Sequence, residues 1–317
     1  MANPIRPNPI RLAIVGVGKI VRDQHVPFVE TNPRYQLVAG VSPHSKLETV
    51  PTFPDLDALF ASGIAFDAAS VCTPPQVRHA LARTLLLAGK HVFLEKPPGA
   101  TVSEVEDLVR TADDRKLSLF ASWHSREAPA VERAAEWVKG RKLTSVEIVW
   151  REDVRHWHPG QAWIWQAGGL GVFDPGINAL SIATRILPAF FVRKADLEFP
   201  ANHDAPIAAR IAFELEDGGA MSADFDWRQT GQQTWDIRIV AQDGATLRLS
   251  KGGDALDLDG QAVTLDPERE YGALYDRFAD LVDAGRSDVD LRPLQQVADA
   301  FLLGRRIQTD AFYDPAP

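Results

Sequence analysis

The chain of 317 residues holds a single cysteine, Cys72. One cysteine cannot close an internal disulfide, so the sequence fits a reducing compartment and excludes a disulfide-stapled secreted scaffold. There is no surplus of positive charge: 34 basic residues face 43 acidic ones, for a formal net charge of −9. Nucleic acid needs a basic face to neutralise its phosphates, and an anionic membrane surface needs the same, so neither partner is expected. Long hydrophobic runs are missing as well. The longest, at 85–88 and 187–192, fall far short of the ~18 apolar residues of a membrane span. The stretch 1–11 has no apolar segment of signal-peptide length, and no targeting segment is expected there. What remains, with 45% hydrophobic and 24% charged residues, has the composition of an ordinary soluble globular protein. It is expected in the cytoplasm, with a small molecule or another protein as partner. At about 150 residues per domain, the length suggests two domains.

The two halves carry different periodicities. In the first, short continuous apolar runs at 11–16, 36–41, 68–72, 91–94 and 118–121 alternate with helical patterns near 20–31, 55–62, 76–89 and 102–115. Unbroken apolar strands alternating with helices predict a parallel sheet covered on both faces, a doubly wound α/β domain. In the second half, strand-like runs at 143–150, 194–199, 207–215, 220–227, 234–241 and 245–249 are separated by turn residues such as Glu216-Asp217-Gly218-Gly219 and Gln242-Asp243-Gly244. Hairpin spacing predicts a mostly antiparallel sheet. Helical patterns near 127–139, 176–187, 270–284 and 293–308 make this half α+β. The expected division is 1–125 for a doubly wound, nucleotide-type domain and 126–317 for an α+β domain.

The first strand runs into Gly16-Val17-Gly18-Lys19-Ile20-Val21, which opens a helical pattern. Two glycines of a G-x-G-x-x-G fingerprint are present; they allow a tight turn and bring a pyrophosphate close to a helix N-terminus. Val21 replaces the third, which loosens the match, and a plain tight turn is the alternative. The second strand ends in Val41-Ser42-Pro43-His44-Ser45-Lys46, without the carboxylate that binds the adenosine ribose in NAD enzymes. A 2′-phosphate would not be repelled there, and Ser42, His44 and Lys46 are placed to contact it unless they are only loop surface. NADP is therefore expected to be accepted, alongside NAD. The expected cofactor contacts are Gly16, Gly18, Lys19, Ile20, Ser42, His44, Cys72, Thr73, Pro74, Glu95 and Lys96.

Glu95-Lys96-Pro97-Pro98 follows the fourth strand, and ligands of doubly wound sheets bind beyond the carboxyl ends of strands. A partly buried lysine there can serve as a base; a solvated loop lysine is the plain alternative. The prolines restrict the backbone, and the Lys96–Pro97 bond is a candidate for the cis form. Further on, a glycine-rich turn at 168–171 leads to Asp174-Pro175-Gly176-Ile177-Asn178. Asp174 reads either as the N-cap of a helix with proline at its first position or as a polar ligand, with Asn178 four residues on along the same face. Four tryptophans, Trp150, Trp157, Trp163 and Trp165, fall between 150 and 165, among Glu152, Asp153, Arg155, His156, His158 and Gln161. Aromatic faces beside hydrogen-bonding groups suit a sugar, with its apolar CH face and hydroxyl rim. An ordinary folded core is the alternative. His156 and His158, lacking a nearby cysteine or a third ligand, do not make a metal site, and no metal is expected.

Together the loop at 16–21, Glu95-Lys96-Pro97 and Asp174-Pro175-Gly176-Ile177-Asn178 resemble the glucose-fructose oxidoreductase/inositol dehydrogenase/rhizopine-catabolism family. Its pattern is a GxGxxG-like loop, an E-K-P motif and a glycine-rich D-x-x-x-H motif. The resemblance covers nearly the whole chain. It is strongest toward the bacterial branch that oxidises D-galactose and L-arabinose at C1, through residues 19–27, 123–126, 158–165 and 168–181. It implies NAD(P)-dependent oxidation of the anomeric carbon of an aldopyranose to the lactone, a dinucleotide-binding Rossmann domain at 1–125, and at 126–317 a substrate-binding domain with a large, mostly antiparallel open sheet through which a homo-oligomer forms. It matches Lys96 and Asp174 to the family's lysine and aspartate. Asn178 stands where many relatives have histidine. That departure moves proton transfer to Lys96, or to Asp174 with Lys96 as electrostatic support. The catalytic set is then Lys96, Asp174 and Asn178, with His124, Glu152, Asp153 and Trp157 as further sugar contacts. Another sugar or polyol, such as D-xylose or an inositol, and a cofactor-binding sensor without catalysis are the competing readings.

Overall fold

The computed structural model describes residues 8–267 and 269–314. The chain forms two compact units. One holds the chain up to His124 together with Glu270–Leu291; the other holds Ser125–Arg269 and the chain from Arg292 onward.

In the first unit the five apolar runs become β1 (Ile10–Val15), β2 (Tyr35–Val41), β4 (Ala68–Val71), β5 (His91–Leu94) and β6 (Leu119–Ala121). A two-residue edge strand, β3 (Thr52–Phe53), adds to them. All pair in parallel, in the order β3-β2-β1-β4-β5-β6. The helices are α1 (Val26–Thr31), α2 (Leu56–Ala61), α3 (Pro75–Leu87) and α4 (Val102–Arg115). Local chemistry sets their ends. Asp55 caps α2 through the Ala58 N–H, and Thr101 with Glu104 forms a reciprocal capping box on α4. Along β1 alternate residues serve two cores: Ala13 and Val15 pack with Leu85, Leu86 and Leu108 on one face, Ile10 and Leu12 with Phe93 and Phe120 on the other.

In the second unit β7 (Leu143–Arg151), β8 (Phe190–Pro200), β9 (Ala208–Leu215), β10 (Ala220–Asp226), β11 (Thr234–Ala241) and β12 (Thr246–Ser250) match the runs read from sequence. β13 (Ala255–Leu258), β14 (Gln261–Ala262) and β15 (Gly304–Thr309) extend them into a mixed sheet of order β14-β13-β12-β11-β7-β10-β9-β8-β15. Its pairs are antiparallel except β7 with β10 and β8 with β15. Burial alternates along β9 and β10, so one face is covered and the other is polar. The helices are α5 (Val131–Val138), α6 (Val154–Trp157) and α7 (Phe173–Ile186).

Three elements differ from the sequence reading. The helix α8 (Glu270–Ala284), read with the second half, belongs to the first unit. Its Tyr271, Leu274, Tyr275 and Phe278 complete the core on the Ile10/Leu12 face of the parallel sheet. The helix expected to run to 308 is α9 (Arg292–Leu303), which stops at Gly304. A Cβ there would lie 2.4 Å from the Ala300 carbonyl oxygen and 2.8 Å from the Leu197 side chain, so glycine is what lets the chain turn at this point and pair with β8. The third difference is the start of α7. Val172, not Asp174, is its N-cap. The helix begins early because Phe173 is fully buried against Phe225 and Phe301, and Pro175 still falls in the first turn, where its missing N–H costs nothing. Asp174 is thus a first-turn residue and not the cap. Among the described residues no helix is long and apolar enough to cross a membrane.

Candidate functional site

In the first unit the candidate residues gather at the carboxyl ends of the parallel strands. Gly16 closes β1 with φ +91°, and a Cβ there would meet Thr73 Cγ2 at 2.8 Å and Thr73 N at 2.9 Å. Only glycine tolerates both that dihedral and that approach. Gly18 meets nothing within 4 Å, which leaves bare backbone open beside the turn, as a pyrophosphate requires. Val21, at the third fingerprint position, is fully buried with Ile14 and Val17, so packing holds the helix start where a glycine would allow close approach. Ile20 is exposed, and Lys19 pairs with Asp23.

Beyond β2, the Ser42 hydroxyl oxygen accepts the backbone N–H groups of His44 (3.4 Å) and Ser45 (3.2 Å) and so shapes the loop. Arg22, which the sequence reading passed over, reaches the same loop: its guanidinium lies 3.4 Å from the Lys46 carbonyl oxygen and 3.5 Å from that of Val17. Arg22, His44 and Lys46 are all exposed there. Cys72 and Thr73 are half-buried beyond β4, and Pro74 is the N-cap of α3.

Glu95 follows β5 and is buried. Its Oε2 accepts the Lys96 backbone N–H at 2.8 Å; its Oε1 lies 3.0 Å from His25 Nε2 and accepts from the Tyr271 hydroxyl at 2.8 Å. Burial alone pushes the Glu95 carboxyl up. The hydrogen bond and charge of His25, with His124 and Tyr271, outweigh burial and hold it at about 2. Burial likewise disfavours the His25 imidazolium, but Cys72, Tyr275 and Glu95 hold its pKa well above the usual 6.5. Lys96 is half-buried, and the Lys96–Pro97 bond is cis. Buried Arg78 on α3 holds this segment from its carbonyl side, donating to the carbonyl oxygens of Thr73, Glu95 and Pro97. His124 pairs with Glu270 (Nδ1 to Oε2, 2.8 Å) and stacks on Tyr271.

The second unit builds a separate cluster. Glu152 follows β7 and is buried, its carboxylate held by two indole N–H donors: Trp227 to Oε1 at 3.3 Å and Trp235 to Oε2 at 2.9 Å. Asp153 caps α6, accepting the Arg155 N–H at 3.0 Å, and pairs with the Arg155 side chain. That cap turns the chain through a four-residue helix so that His158, at its C-terminus, comes back over Glu152. His158 Nε2 lies 3.4 Å from Asp174 Oδ2 and 4.0 Å from Glu152 Oε1, and its ring lies 5.4 Å from that of Trp227. Asp174 is buried; Asn178 is half-buried one turn further along α7. Gly176 lets this turn press on β10, since a Cβ would sit 2.8 Å from the Phe225 ring. Trp157 is 38% exposed, 5.2 Å from the Trp235 ring.

Glu152 and Asp174 are thus brought together, and His158, Trp227 and Trp235 join them. Asp153 serves the local turn, and Trp157 flanks the cluster. The signal for His158 was its place in the tryptophan-rich stretch. Trp227 and Trp235 lay in runs that read as strand core. Among the described residues no group of three or more histidine, cysteine, aspartate or glutamate side chains could hold a metal ion.

A glycine turn at the carboxyl edge of a six-stranded parallel sheet, followed by a large mixed sheet carrying buried carboxylates and indoles, defines a Rossmann-type oxidoreductase with an added α+β domain. The chain belongs to the glucose-fructose oxidoreductase/inositol dehydrogenase/rhizopine-catabolism family: residues 10–122 match the oxidoreductase family with an NAD-binding Rossmann fold, and full-length relatives extend the match. It is 46% identical over 307 residues to the galactose 1-dehydrogenase of Pseudomonas fluorescens, covering 96% of this chain and 99% of that one. The crystal structure of a D-galactose-1-dehydrogenase from Rhizobium etli superposes with a TM-score of 0.92 at 55% identity, over 97% of this chain and 99% of that chain. A 3-ketoreductase of Actinomadura kijaniata, solved in complex with TDP-benzene and NADP, shares the fold at 18% identity, with a TM-score of 0.81 over 95% of this chain and all of that one.

Proposed function

We propose that the protein is an NAD(P)-dependent aldose 1-dehydrogenase that oxidises the anomeric C1 of D-galactose, and of L-arabinose, to the aldonolactone. The observation that carries this is the Glu152 carboxylate fixed between the Trp227 and Trp235 indoles with His158 and Asp174 beside it. Fixed acceptors ringed by aromatic faces suit sugar hydroxyls and the apolar CH face. The identity to galactose 1-dehydrogenases along nearly the whole length supports the same substrate class.

When bound, the nicotinamide cofactor supplies the hydride acceptor for C1. The backbone at Gly16 and Gly18 would hold its pyrophosphate. Ser42, His44, Lys46 and Arg22 would face the adenosine ribose and favour a 2′-phosphate, so NADP would be accepted alongside NAD. Lys96, as the neutral amine, would take the proton from the C1 hydroxyl. Asp174 and Asn178, with Glu152, accept and donate hydrogen bonds to the sugar, and His158 holds the Asp174 carboxylate in place. D-galactose and L-arabinose share ring stereochemistry and differ by the hydroxymethyl group at C5. A pocket without a built-in clash separates such a pair by only ~1–3 kcal/mol, so both are substrates. The family resemblance supports a homo-oligomer formed through the second sheet, which light scattering checks.

The test is absorbance at 340 nm with D-galactose, L-arabinose, D-xylose and D-glucose, each with NAD⁺ and NADP⁺. Rapid reduction with the first two sugars is expected. Turnover confined to other sugars or polyols overturns the substrate assignment, and tight cofactor binding with no turnover of any overturns the enzyme reading.

A further inference from the structure

Lys96 carries its ammonium on four rotatable bonds, so where it acts depends on how rigidly its backbone is held. The structure holds it from two sides. Arg78 takes the carbonyl oxygens of Glu95 and Pro97. On the N–H side the Glu95 carboxylate accepts from it, through Oε2 at 2.8 Å. That carboxylate is itself fixed by His25 and Tyr271 on Oε1. The chain of contacts continues: His25 Nδ1 lies 2.7 Å from the Tyr275 hydroxyl, which lies 3.0 Å from Ser70 Oγ. His25 has 0% exposure and sits on a π-helical turn, Val21–His25, a rare backbone form found frequently at functional sites. Its ring is set edge-on against Phe93, Tyr271 and Tyr275, with centroids 5.7, 5.1 and 5.8 Å away.

A buried histidine–carboxylate pair is weak support for stability, because desolvation of the two groups offsets most of their attraction. Well-packed apolar side chains would hold this core as firmly. What apolar side chains cannot do is deliver an oriented acceptor to the Lys96 N–H.

We propose that His25 is a positioning residue for Lys96: it acts through Glu95, whose carboxylate it orients onto the Lys96 backbone N–H, with Tyr271 as second support. This rests on the reading of Lys96 as the proton acceptor. His25 touches neither sugar nor cofactor in this role. Its loss therefore lowers the rate of the chemical step without weakening ligand binding. Misplacing a reacting group by about 1 Å costs on the order of 10²-fold.

The experiment compares His25→Leu, His25→Gln, Tyr271→Phe, Lys96→Ala and the double variant His25→Leu/Lys96→Ala in the full-length protein. Steady-state kinetics with D-galactose and NADP⁺ are run beside hydrogen exchange of the 92–98 segment without ligands. His25→Leu should lower kcat by about 10²-fold with KM and cofactor Kd nearly unchanged, and should speed exchange of the Lys96 amide. His25→Gln, whose side-chain amide still donates to Glu95, should recover most of kcat, and Tyr271→Phe should lose less than His25→Leu. The double variant should be no slower than Lys96→Ala alone, because both changes remove one contribution. Additive losses would show that His25 works by another route and overturn the proposal, as would an unchanged kcat in folded His25→Leu. Full turnover in Lys96→Ala would sink the Lys96 reading, and with it the assignment of His25. If His25→Leu does not fold, Tyr271→Phe with and without Lys96→Ala decides the same question.

Discussion

Replacing Asp174 with asparagine separates a structural role from a chemical one. Asp174 is not the helix cap, so the ~1 kcal/mol typical of a lost cap does not apply. The substitution keeps shape and removes one charge from the first turn of α7, worth about 0.3–1 kcal/mol against the helix dipole. It also removes the charge 3.4 Å from His158 Nε2, while leaving an amide oxygen that can still accept. The net loss of stability should stay near 1 kcal/mol, a fall of about 2–4 °C in Tm for a unit of this size. If the carboxylate binds or helps deprotonate the sugar, kcat/KM should fall by ~10²-fold or more, equivalent to at least about 2.7 kcal/mol of transition-state stabilisation. The functional loss thus exceeds the structural one by more than twofold in free energy. Thermal unfolding by circular dichroism and the 340 nm assay measure both on one preparation. A Tm lowered by well over 4 °C with kcat/KM within threefold of the parent would refute the placement of Asp174 in the reaction.

Three further outcomes are expected. Lys96→Ala should lower kcat by at least ~10²-fold while cofactor Kd, read by fluorescence titration, stays within a few-fold; an unchanged kcat with a raised Kd would make Lys96 a binding residue only. Arg22→Ala should weaken NADP by roughly 10- to 100-fold, the ~1.5–3 kcal/mol of a charged hydrogen bond, and leave NAD nearly untouched; equal effects on both cofactors would remove Arg22 from 2′-phosphate recognition. Stability should follow the His25–Glu95 pair. Glu95 is lowered from 4.5 to about 2, so its contribution is complete above 4.5 and lost as pH falls toward 2. His25 is raised above 6.5, so its contribution is complete below 6.5 and lost as pH rises through the folded-state value. The Tm advantage over Glu95→Gln should therefore be greatest between 4.5 and 6.5 and shrink by pH 3; an advantage independent of pH would contradict the buried pair.

Much of this architecture was legible in the amino-acid order because the signals are local. Unbroken apolar runs marked the parallel strands, and two glycines after the first of them marked the turn at Gly16. Alternation between turns marked β9 and β10. The tryptophan-rich stretch pointed to Glu152, which lies in the second-unit cluster. Long-range partners left no such trace. His25 meets Tyr275 across 250 positions and Glu95 meets Tyr271 across 176, and no spacing rule links residues so far apart. α7 was misjudged at its start because Asp-Pro is also a strong cap signal, and burial of Phe173 overrode it. The α9–β15 boundary was missed because Arg305-Arg306-Ile307-Gln308 fits a helical pattern, and the pairing with β8 that draws these residues into the sheet is a long-range contact the local pattern does not carry.

The chain completes its first unit late. The face of the parallel sheet bearing Ile10, Leu12, Phe93 and Phe120 receives Tyr271, Tyr275 and Phe278 only after the whole of Ser125–Arg269 has been made. On the ribosome, at 5–20 residues per second, roughly seven to thirty seconds separate β6 from α8. During that interval an apolar sheet face stands uncovered, the kind of surface that chaperones hold and that drives aggregation. A nucleotide-binding half cut from this protein at residue 125 would keep that face bare, so any transplant of the half into another enzyme has to carry Glu270–Leu291 with it as a second segment.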